Sequence, residues 1–593
     1  MLFLLFSLSA CDMVNEQIDE PTPENPTPPQ TDFYLTLNVV VPTEDNSRSS
    51  TNPDGTSDNN PPTLPGSNNE NTISSAKIFF FDQNSHKQLC SFLAFRGNDI
   101  NANQTLGSYS ITTKIEFDEI KELIGKKVNL YVLANIDQFK TGEGSSDEEK
   151  FLNGTFLTGE LGTGYAKRFL TDKNGELCPL TNNDYYTIDL TNINASLSNE
   201  ELRLLIQSLF KENYSDGKRW DISTSDPIYD SNNNLIFTGS GKLSLQRSIA
   251  RVDIYVGGNG SGLEKIIYNL PNAEMSYPGG TQEVYMQMYS IQLFNVSKET
   301  FLFRHISEGN GTNGKSTDGQ VKLFGIENGY TGQTFENETE KSISYNWIYD
   351  SDWSEKYNIT NTSALDPGVS MFYNQPVISE EIWSLNGAAA FNTIQHIEPW
   401  LSGNTNADYA LPGYVPWYYV SENTLPTTEK MTMALSTGIL YIFKLCNAEG
   451  NPLIFRDNEG KDLKFPDENG ELTLSSPSLI RITLKGGDND GYYQEIPLTM
   501  PNSENNDPNA GYFLSYKYLI EHNRSIRGTI DNNTGKKNGA LAPMQIGIVR
   551  NNIYALKVTG INNLPQPHEP DNFYLSVDIK VLAWAKRDIT VTW

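Results

Sequence analysis

Two segments of strictly alternating apolar residues lie near the two ends of the chain. Each segment carries five large apolar side chains in the same spacing: Phe33, Leu35, Leu37, Val39 and Val41 near the N-terminus, and Phe573, Leu575, Val577, Ile579 and Val581 near the C-terminus. Period-two alternation puts these side chains on one face of an extended segment. The pattern therefore predicts one half-buried β-strand near each end of the chain.

The composition favours a large β-rich protein. The chain has 593 residues, of which 37% are hydrophobic, and it contains 30 tyrosines and 27 phenylalanines. Such a length suffices for about two to four domains with sizeable cores. Abundant aromatic residues and recurrent Asn-Gly and Asp-Gly pairs favour strands joined by tight turns.

Further strands and two short helices follow from local periodicity. The predicted strands are 76–81, 127–135, 243–256, 283–296, 439–446, 480–484 and 553–561. The predicted helices are 117–124 and 200–210, and Ser198 is the expected N-cap of the second helix. These assignments give an all-β chain with short helices.

The net charge of −29 argues against nucleic-acid binding. Such a chain lacks the basic surface that would displace counterions from phosphates. A strongly acidic surface suits a protein that stays soluble outside the cell.

The first residues predict export and lipidation. An apolar run over residues 1–10 ends in Leu8-Ser9-Ala10-Cys11, which resembles a bacterial lipobox. In such a signal the peptidase cuts before the cysteine, whose thiol is then diacylated, so Cys11 is the expected lipidation site. The run lacks a positive n-region, which favours a start codon further upstream. A truncated ordinary secretory signal is the alternative.

The segment around the first alternating strand predicts an accessible cleavage site. Residues 12–31 are rich in proline and acidic residues, which is typical of a disordered tether. Residues 43–72 are rich in Asn, Ser, Pro, Gly and Asp, and they predict a flexible exposed loop that contains Arg48. Proteases cut preferentially in such loops.

No catalytic, metal or cofactor site is predicted. The five histidines are scattered without metal-ligand spacing, and no nucleophile–base pair stands out. Cys90, Cys178 and Cys446 show no C-x-x-C spacing, so buried free thiols are expected, with one disulfide left open.

Several local motifs resemble one known family. Two of them are C-terminal: the run Val549–Tyr554 with the residues that follow it, and the segment Phe573–Trp584. The others are the two strand segments Gly125–Asn135 and Arg247–Arg251, and the lipobox together with the strand before Arg48. Together they resemble the minor fimbrillins, the shaft subunits of the short type V fimbriae of Bacteroidales. The resemblance extends from end to end but is dense only in these patches, and much of the region from about 300 to 423 carries none of it.

The resemblance implies two transthyretin-like β-sandwich domains of fimbrillin type. Carried over to this chain, it implies a signal peptide at 1–10 and a propeptide at 11–48. An N-terminal domain at 49–242 and a C-terminal domain at 243–593 follow, and the terminal strand lies at about 571–593.

The resemblance also implies a maturation pathway. The subunit would be an outer-membrane lipoprotein precursor, held by the lipid on Cys11, until an arginine-specific protease cuts between Arg48 and Ser49. The strand Phe33–Val41 would then be lost, and the terminal strand of another subunit, including Trp584, would fill the groove by donor-strand exchange. The product is an extracellular fimbrium that supports adhesion. Its partners are other copies of the chain, accessory fimbrial subunits, the protease, and a host or bacterial receptor that the sequence does not name.

Several alternatives stay open. Arg48 could be a chance basic residue in a loop, and the terminal strand could pair only within its own sheets. Separately, the chain could be a fimbrial anchor, which would keep its lipid and remain uncut at Arg48, or a tip subunit, present in few copies at one end of the fibre. A surface glycan-binding lipoprotein is a further alternative, in which tryptophans stack on sugars; the candidates are Trp347, Trp353, Trp383, Trp400 and Trp417.

Overall fold

A computed structural model gives the structure of the chain. With short gaps inside the longer ranges, it describes residues 33–41, 63–157, 177–255, 267–307, 321–323, 348–351, 411–424, 435–450, 479–484, 493–497, 513–522, 529–530, 537–538, 546–562 and 575–585. Cys11, Arg48, Ser49 and Phe573 lie outside these residues.

Strands dominate the described part of the chain. The first are β1 (Phe33–Val40), β2 (Thr63–Pro65), β3 (Ser75–Asp82), β4 (Gln88–Phe95), β5 (Ile100–Ala102), β6 (Ser108–Ile115), β7 (Lys127–Ala134), β8 (Thr155–Leu157), β9 (Leu180–Asn182), β10 (Thr187–Asp189), β11 (Glu212–Tyr214), β12 (Gly217–Asp221), β13 (Ile228–Tyr229), β14 (Leu235–Phe237) and β15 (Leu243–Arg247). The remainder are β16 (Ala250–Tyr255), β17 (Ile267–Tyr277), β18 (Gly280–Phe294), β19 (Glu299–Phe301), β20 (His305–Ser307), β21 (Val321–Leu323), β22 (Ile348–Tyr349), β23 (Tyr414–Val420), β24 (Gly438–Cys446), β25 (Leu479–Leu484), β26 (Tyr493–Pro497), β27 (Phe513–Leu519), β28 (Thr529–Ile530), β29 (Lys537–Asn538), β30 (Asn552–Ile561) and β31 (Leu575–Ala585).

Four short helices accompany the strands in the described residues. They are α1 (Asn68–Asn71), α2 (Phe117–Leu123), α3 (Asp147–Leu152) and α4 (Asn199–Leu209). At α4, the amide of Glu201 donates to Ser198 Oγ at 3.3 Å, and the Glu201 carboxylate accepts from the Ser198 amide at 2.9 Å. This capping box fixes the helix start, and both predicted helices are confirmed. Among the described residues, no helix has the length and apolar character needed to span a bilayer.

The first sandwich is built from residues 33–247. One layer contains β5, β6, β1, β12 and β11, and the other contains β4, β3, β7, β9 and β10. β15 pairs with both β1 and β9, so it joins the layers at one corner. Apolar residues of β1, β3, β6 and β7 share the core between the layers.

The second sandwich is built mainly from residues 250–585. One sheet has the order β2-β31-β30-β16-β23, and the other has the order β26-β25-β17-β18-β24-β27. The core between the sheets is rich in tyrosine, with Tyr441, Tyr516, Tyr518 and Tyr554 all buried. The prediction of an all-β, sandwich-type fold is confirmed.

The two sandwiches are joined by more than the connecting chain. β8 pairs with β19, which belongs to the second half of the sequence. Leu302 and Phe303 pack into a largely aromatic cluster of the first half that includes Phe79, Tyr131 and Phe151. The rings of Tyr131 and Phe303 lie 5.3 Å apart between centroids, edge to face. Contacts of this kind favour a fixed arrangement of the two halves.

Two sequence expectations are corrected by the structure. The single strand expected over 243–256 is two strands, β15 and β16, because the chain turns at Ser248 and Ile249 and passes from one sandwich to the other. The flexible loop expected over 43–72 is ordered at its end, since β2 and α1 occupy residues 63–71 and Glu70 is buried.

Candidate functional site

β1 lies in the interior of its sheet and contacts three other strands. Along one edge it pairs antiparallel with β6, from Phe33 opposite Ile115 to Val40 opposite Ser108. Along the other edge it pairs parallel with β12 over its first half and with β15 over its last residues. Removal of β1 would therefore leave a groove between β6 on one side and β12 with β15 on the other.

The inward face of β1 is a continuous apolar ridge in the core. Phe33, Leu35, Leu37, Val39 and Val41 are all buried, and Leu37, Val39 and Val41 are 0% exposed. The core residues around them come from both layers and include Ile78, Ile111 and Leu130. The alternating pattern of the sequence thus predicted correctly which side chains of β1 face the core.

The outward face of β1 is held by a polar clamp at Asn38. The side-chain amide of Asn38 donates to Asp221 Oδ2 at 3.0 Å and to Ser223 Oγ at 2.8 Å, and its carbonyl oxygen accepts from Ser110 Oγ at 2.5 Å. The backbone amide of Asn38 donates to Ser223 Oγ at 2.9 Å. Ser223 thereby fills the gap where β12 has ended and β15 has not begun.

Residues 63–71 form a strap that lies against the second sandwich and precedes β3 of the first. Its strand β2 pairs parallel with β31, with Leu64 opposite Trp584. Leu64 packs in a small core with Ile553 and Leu582 of the second sandwich. The strap is the first described segment after Arg48, so the part of the chain that follows the predicted cleavage site is anchored on the C-terminal strand.

A buried charge network anchors the other end of the strap. Arg251 Nη1 donates to both carboxylate oxygens of Glu70 at 3.0 Å, and Arg251 also makes a bidentate pair with Asp253 at 2.7 and 2.8 Å. The Tyr419 hydroxyl donates to Glu70 as well. Burial alone would raise the pKa of Glu70, but the Arg251 charge and the Tyr419 hydroxyl outweigh it and hold that pKa below its ordinary value.

Two further buried arginines bind the halves together. Arg247 donates from Nε to the backbone oxygen of Glu70 at 3.2 Å and from Nη2 to the side chain of Asn71. Arg550 pairs with Glu422 at 2.9 Å and donates to the backbone oxygen of Leu302 at 3.1 Å. Because a buried charge is costly unless it is paired, these contacts hold the two sandwiches in one relative position.

The C-terminal strand lies in a sheet of its own chain. β31 pairs antiparallel with β30 from Leu575 to Ala583, and on its other edge it pairs only with β2 among the described strands. Val577, Ile579 and Leu582 are buried, whereas Lys580 is exposed. For Leu575, Val581 and Trp584 the structure gives the backbone register only, and Phe573 lies outside the described residues.

The remaining candidate groups are in the core. Cys90, Cys178 and Cys446 are buried free thiols, and burial raises the pKa of Cys90 to about 12. Trp417 is 3% exposed in the second core, so it is no platform for a sugar, and the other four candidate tryptophans lie outside the described residues. In the described part of the chain, no group of acidic, histidine or cysteine side chains is arranged to hold a metal ion.

The C-terminal segment matches a known family. Residues 515–590 match the family described as "Major fimbrial subunit protein type IV, Fimbrillin, C-terminal". This range includes β30, β31 and the C-terminal motifs of the resemblance, so the predicted likeness to fimbrillins is confirmed for this part of the chain. A family of fimbrial subunits points to a structural protein rather than an enzyme.

Solved structures with low overall similarity accompany this match. A candidate cell adhesion protein from Parabacteroides distasonis is 11% identical, with 93% of this chain and 99% of that one covered and a TM-score of 0.34. The tip fimbrial protein Mfa3 from Porphyromonas gingivalis, truncated at its C-terminus, is also 11% identical, with 93% and 100% covered and a TM-score of 0.27. No curated protein matches the sequence.

Sequence reasoning missed the strap and its charge network. Arg247, Arg251 and Asp253 fall within the single strand predicted over 243–256, and local alternation indicates no partner for them. Their partner Glu70 lies in a segment with the composition of a loop. The one available signal was the concentration of charged residues in an otherwise apolar pair of strands.

Proposed function

We propose that this chain is a subunit of a cell-surface fimbria, exported as a lipoprotein through Cys11 and matured by cleavage between Arg48 and Ser49. In this proposal β1 is then released, and the C-terminal strand of another subunit takes its place. The fimbrillin match at residues 515–590 supports the fimbrial role. The position of β1 in its sheet supports the exchange.

The observation that carries the proposal is that β1 is an interior strand supplied by a separable segment. It precedes the rest of its sandwich in sequence, and the segment that contains Arg48 separates it from β2. A single cut in that segment would leave β1 held by non-covalent contacts alone. Few strands with neighbours on both edges could be detached from a fold by one cleavage.

The energetics favour refilling of the groove. Five apolar side chains leave the core with β1, and at about 1.5–3 kcal/mol for each buried side chain this amounts to roughly 8–15 kcal/mol. The backbone groups of β6, β12 and β15 that face β1 would also lose their partners. The precursor is therefore inert while β1 is present, and the cleaved subunit gains by accepting another strand.

The relation of donor and acceptor sets the form of the assembly. The groove lies in the first sandwich, and β31 lies in the second. Contacts between different surfaces of identical subunits are head-to-tail and give open filaments unless the rotation closes a ring. Release of β31 is a required step, because in the single chain it pairs with β30.

The experiment is mass spectrometry of the protein purified from cells, combined with a truncation after Asp571. The proposal predicts a mature N-terminus at Ser49 and a detergent-resistant ladder on gels. It also predicts loss of the ladder in the truncated chain, whose folding is checked by circular dichroism. A ladder that persists without residues 572–593 would contradict the exchange of strands.

A tip or anchor subunit is the second candidate. Val577 and Ile579 occupy the core of their own sandwich, so a cleaved tip subunit that kept β31 in place would accept a donor strand without giving one. Such a subunit would appear once per fibre, at an end. An anchor would keep the lipid on Cys11 and remain uncut at Arg48, which the same mass spectrum would reveal.

A further inference from the structure

The two alternating strands resemble each other in sequence beyond their shared alternation. Residues 33–41 read Phe-Tyr-Leu-Thr-Leu-Asn-Val-Val-Val, and residues 573–581 read Phe-Tyr-Leu-Ser-Val-Asp-Ile-Lys-Val. The first three residues and the last are identical in the two segments. Alternation alone requires only that apolar residues recur at every second position, so the identity goes beyond what a half-buried strand needs.

The likeness conserves the volume of the apolar ridge. In the aligned segments Val577 stands for Leu37, which removes a methylene, and Ile579 stands for Val39, which returns one. A shift by two residues would keep the alternation but would place Leu575 at Phe33 and Ala583 at Val41. Cavities would follow at these two positions of the core, where Phe33 is 6% and Val41 0% exposed.

The inward and outward faces also agree in the structure. Val577 and Ile579 are buried in their own sandwich, and Lys580 is exposed. In β1, Leu37 and Val39 are buried at the corresponding positions, and Val40 is half-buried. The same side chains of the C-terminal strand would thus face the core in either location.

We propose that residues 573–581 of a second copy occupy the groove of β1 without a shift of register, so that Asp578 takes the place of Asn38 beside Asp221. This inference rests on the proposed exchange of strands and adds its register and the residues that limit it. Asn38 donates its amide to Asp221 Oδ2 and to Ser223 Oγ. Asp578 has no amide to donate and presents a carboxylate to Asp221 instead.

The charge at this position opposes the exchange. Two carboxylates at hydrogen-bond distance repel each other. In its own sheet, Asp578 lies opposite Lys557 of β30, a residue of opposite charge. Transfer of the strand therefore exchanges a favourable neighbour for an unfavourable one. Asp578 weakens the contact between copies and favours the state in which β31 remains in its own sheet.

The register is tested in the intact chain, without any filament. Variant A carries the donor sequence at the β1 positions, through T36S, L37V, N38D, V39I and V40K. Variant B carries the sequence of residues 575–583 at positions 33–41, which represents the register shifted by two residues. Variant C is variant A with Asn38 retained. We expect the melting temperature of variant C to lie close to that of the original chain and that of variant B to lie well below it.

The Asp221 contact is tested by one added substitution. Variant A should melt about 2–4 °C below variant C, and Asp221→Asn in variant A should restore most of this difference. A variant B that melts at or above variant C, a variant C that fails to fold, or a variant A that Asp221→Asn leaves unchanged would each overturn the proposal.

A second measurement follows assembly of the cleaved full chain. Asp578→Asn should raise the assembled fraction several-fold, whereas Lys580→Gln should leave it unchanged, because Lys580 replaces the outward-facing Val40. Loss of assembly in Lys580→Gln with no effect of Asp578→Asn would indicate the shifted register and contradict the proposal. Chains that never assemble, with variant C stably folded, would refute the proposed function but not the fit of the sequence to the groove.

Discussion

Arg251 holds Glu70 through two hydrogen bonds of 3.0 Å, and the two residues are 0% and 1% exposed. Glu70 belongs to the strap after the predicted cleavage site, and Arg251 belongs to the first strand of the second sandwich. The strap is therefore tied to the second half of the molecule by a buried ion pair as well as by Leu64.

Glu70→Gln should lower the free energy of unfolding by about 3–5 kcal/mol, because it leaves the buried Arg251 short of one compensating charge. Denaturant unfolding of the full chain measures this loss. Glu122→Gln is the matched control, since Glu122 is 64% exposed and pairs with Lys126 at 3.6 Å, and it should cost less than about 1 kcal/mol. Equal effects of the two substitutions would contradict the anchoring role of Glu70.

Leu37→Ala should destabilise the chain by about 2–5 kcal/mol, because Leu37 is fully buried at the centre of β1 and its truncation leaves a cavity. After a cut between residues 42 and 62, the same variant should release the β1 peptide faster, by about tenfold for every 1.4 kcal/mol lost. Release is measured with a fluorophore on the N-terminal side of β1. Val40→Ala, on the half-buried outward face, is the control and should change release far less.

The thiols of Cys90, Cys178 and Cys446 should not react with a chromogenic disulfide reagent in the folded protein. All three are buried, and burial raises the pKa of Cys90 to about 12, so the reactive thiolate is scarce at neutral pH. In denaturant all three should react within minutes. The measurement uses a chain that begins after Cys11, and rapid labelling before unfolding would contradict the burial of these groups.

Stability should decrease as the pH falls from about 6.5 to about 4, in part because of His522. Burial lowers the pKa of His522 to about 4, and its Nδ1 lies 2.8 Å from the Tyr554 hydroxyl. His522 takes up a proton near pH 6.5 in the unfolded chain but only near pH 4 in the folded chain. Protonation therefore favours unfolding in this interval. The contribution amounts to about 3 kcal/mol.

His522→Gln isolates this contribution. Glutamine retains an acceptor for the Tyr554 hydroxyl but takes up no proton in this range. The free energy of unfolding of the variant should therefore fall less steeply between pH 6.5 and pH 4 than that of the original chain. Parallel slopes would show that His522 does not contribute to the pH dependence.

The sequence predicts best those features that depend on local periodicity. The inward face of β1 followed from alternation, because a strand buried on one face must show period two. Helix α4 followed from the Ser198 cap and from the apolar spacing after it. The extents of β3 and β7 followed from runs of apolar residues long enough for a fully buried strand.

Features that depend on distant partners could not be predicted in this way. The bend at Ser248 follows from the pairing of β15 with β9 and of β16 with β30, which no local pattern encodes. The burial of Glu70 depends on Arg251, far along the chain. Alternation in β31 indicates one apolar face, but it does not indicate which sheet that face completes.

The setting of β1 between three strands has a mechanical consequence. Antiparallel hydrogen bonds lie across the strand axis, so tension along a strand seated in this position would load the β6 ladder in shear. The bonds would then share the force and would have to fail together rather than one after another. A fibre whose subunits are joined by strands in this groove would resist pulling by fluid flow far better than a fibre whose joints open from one end.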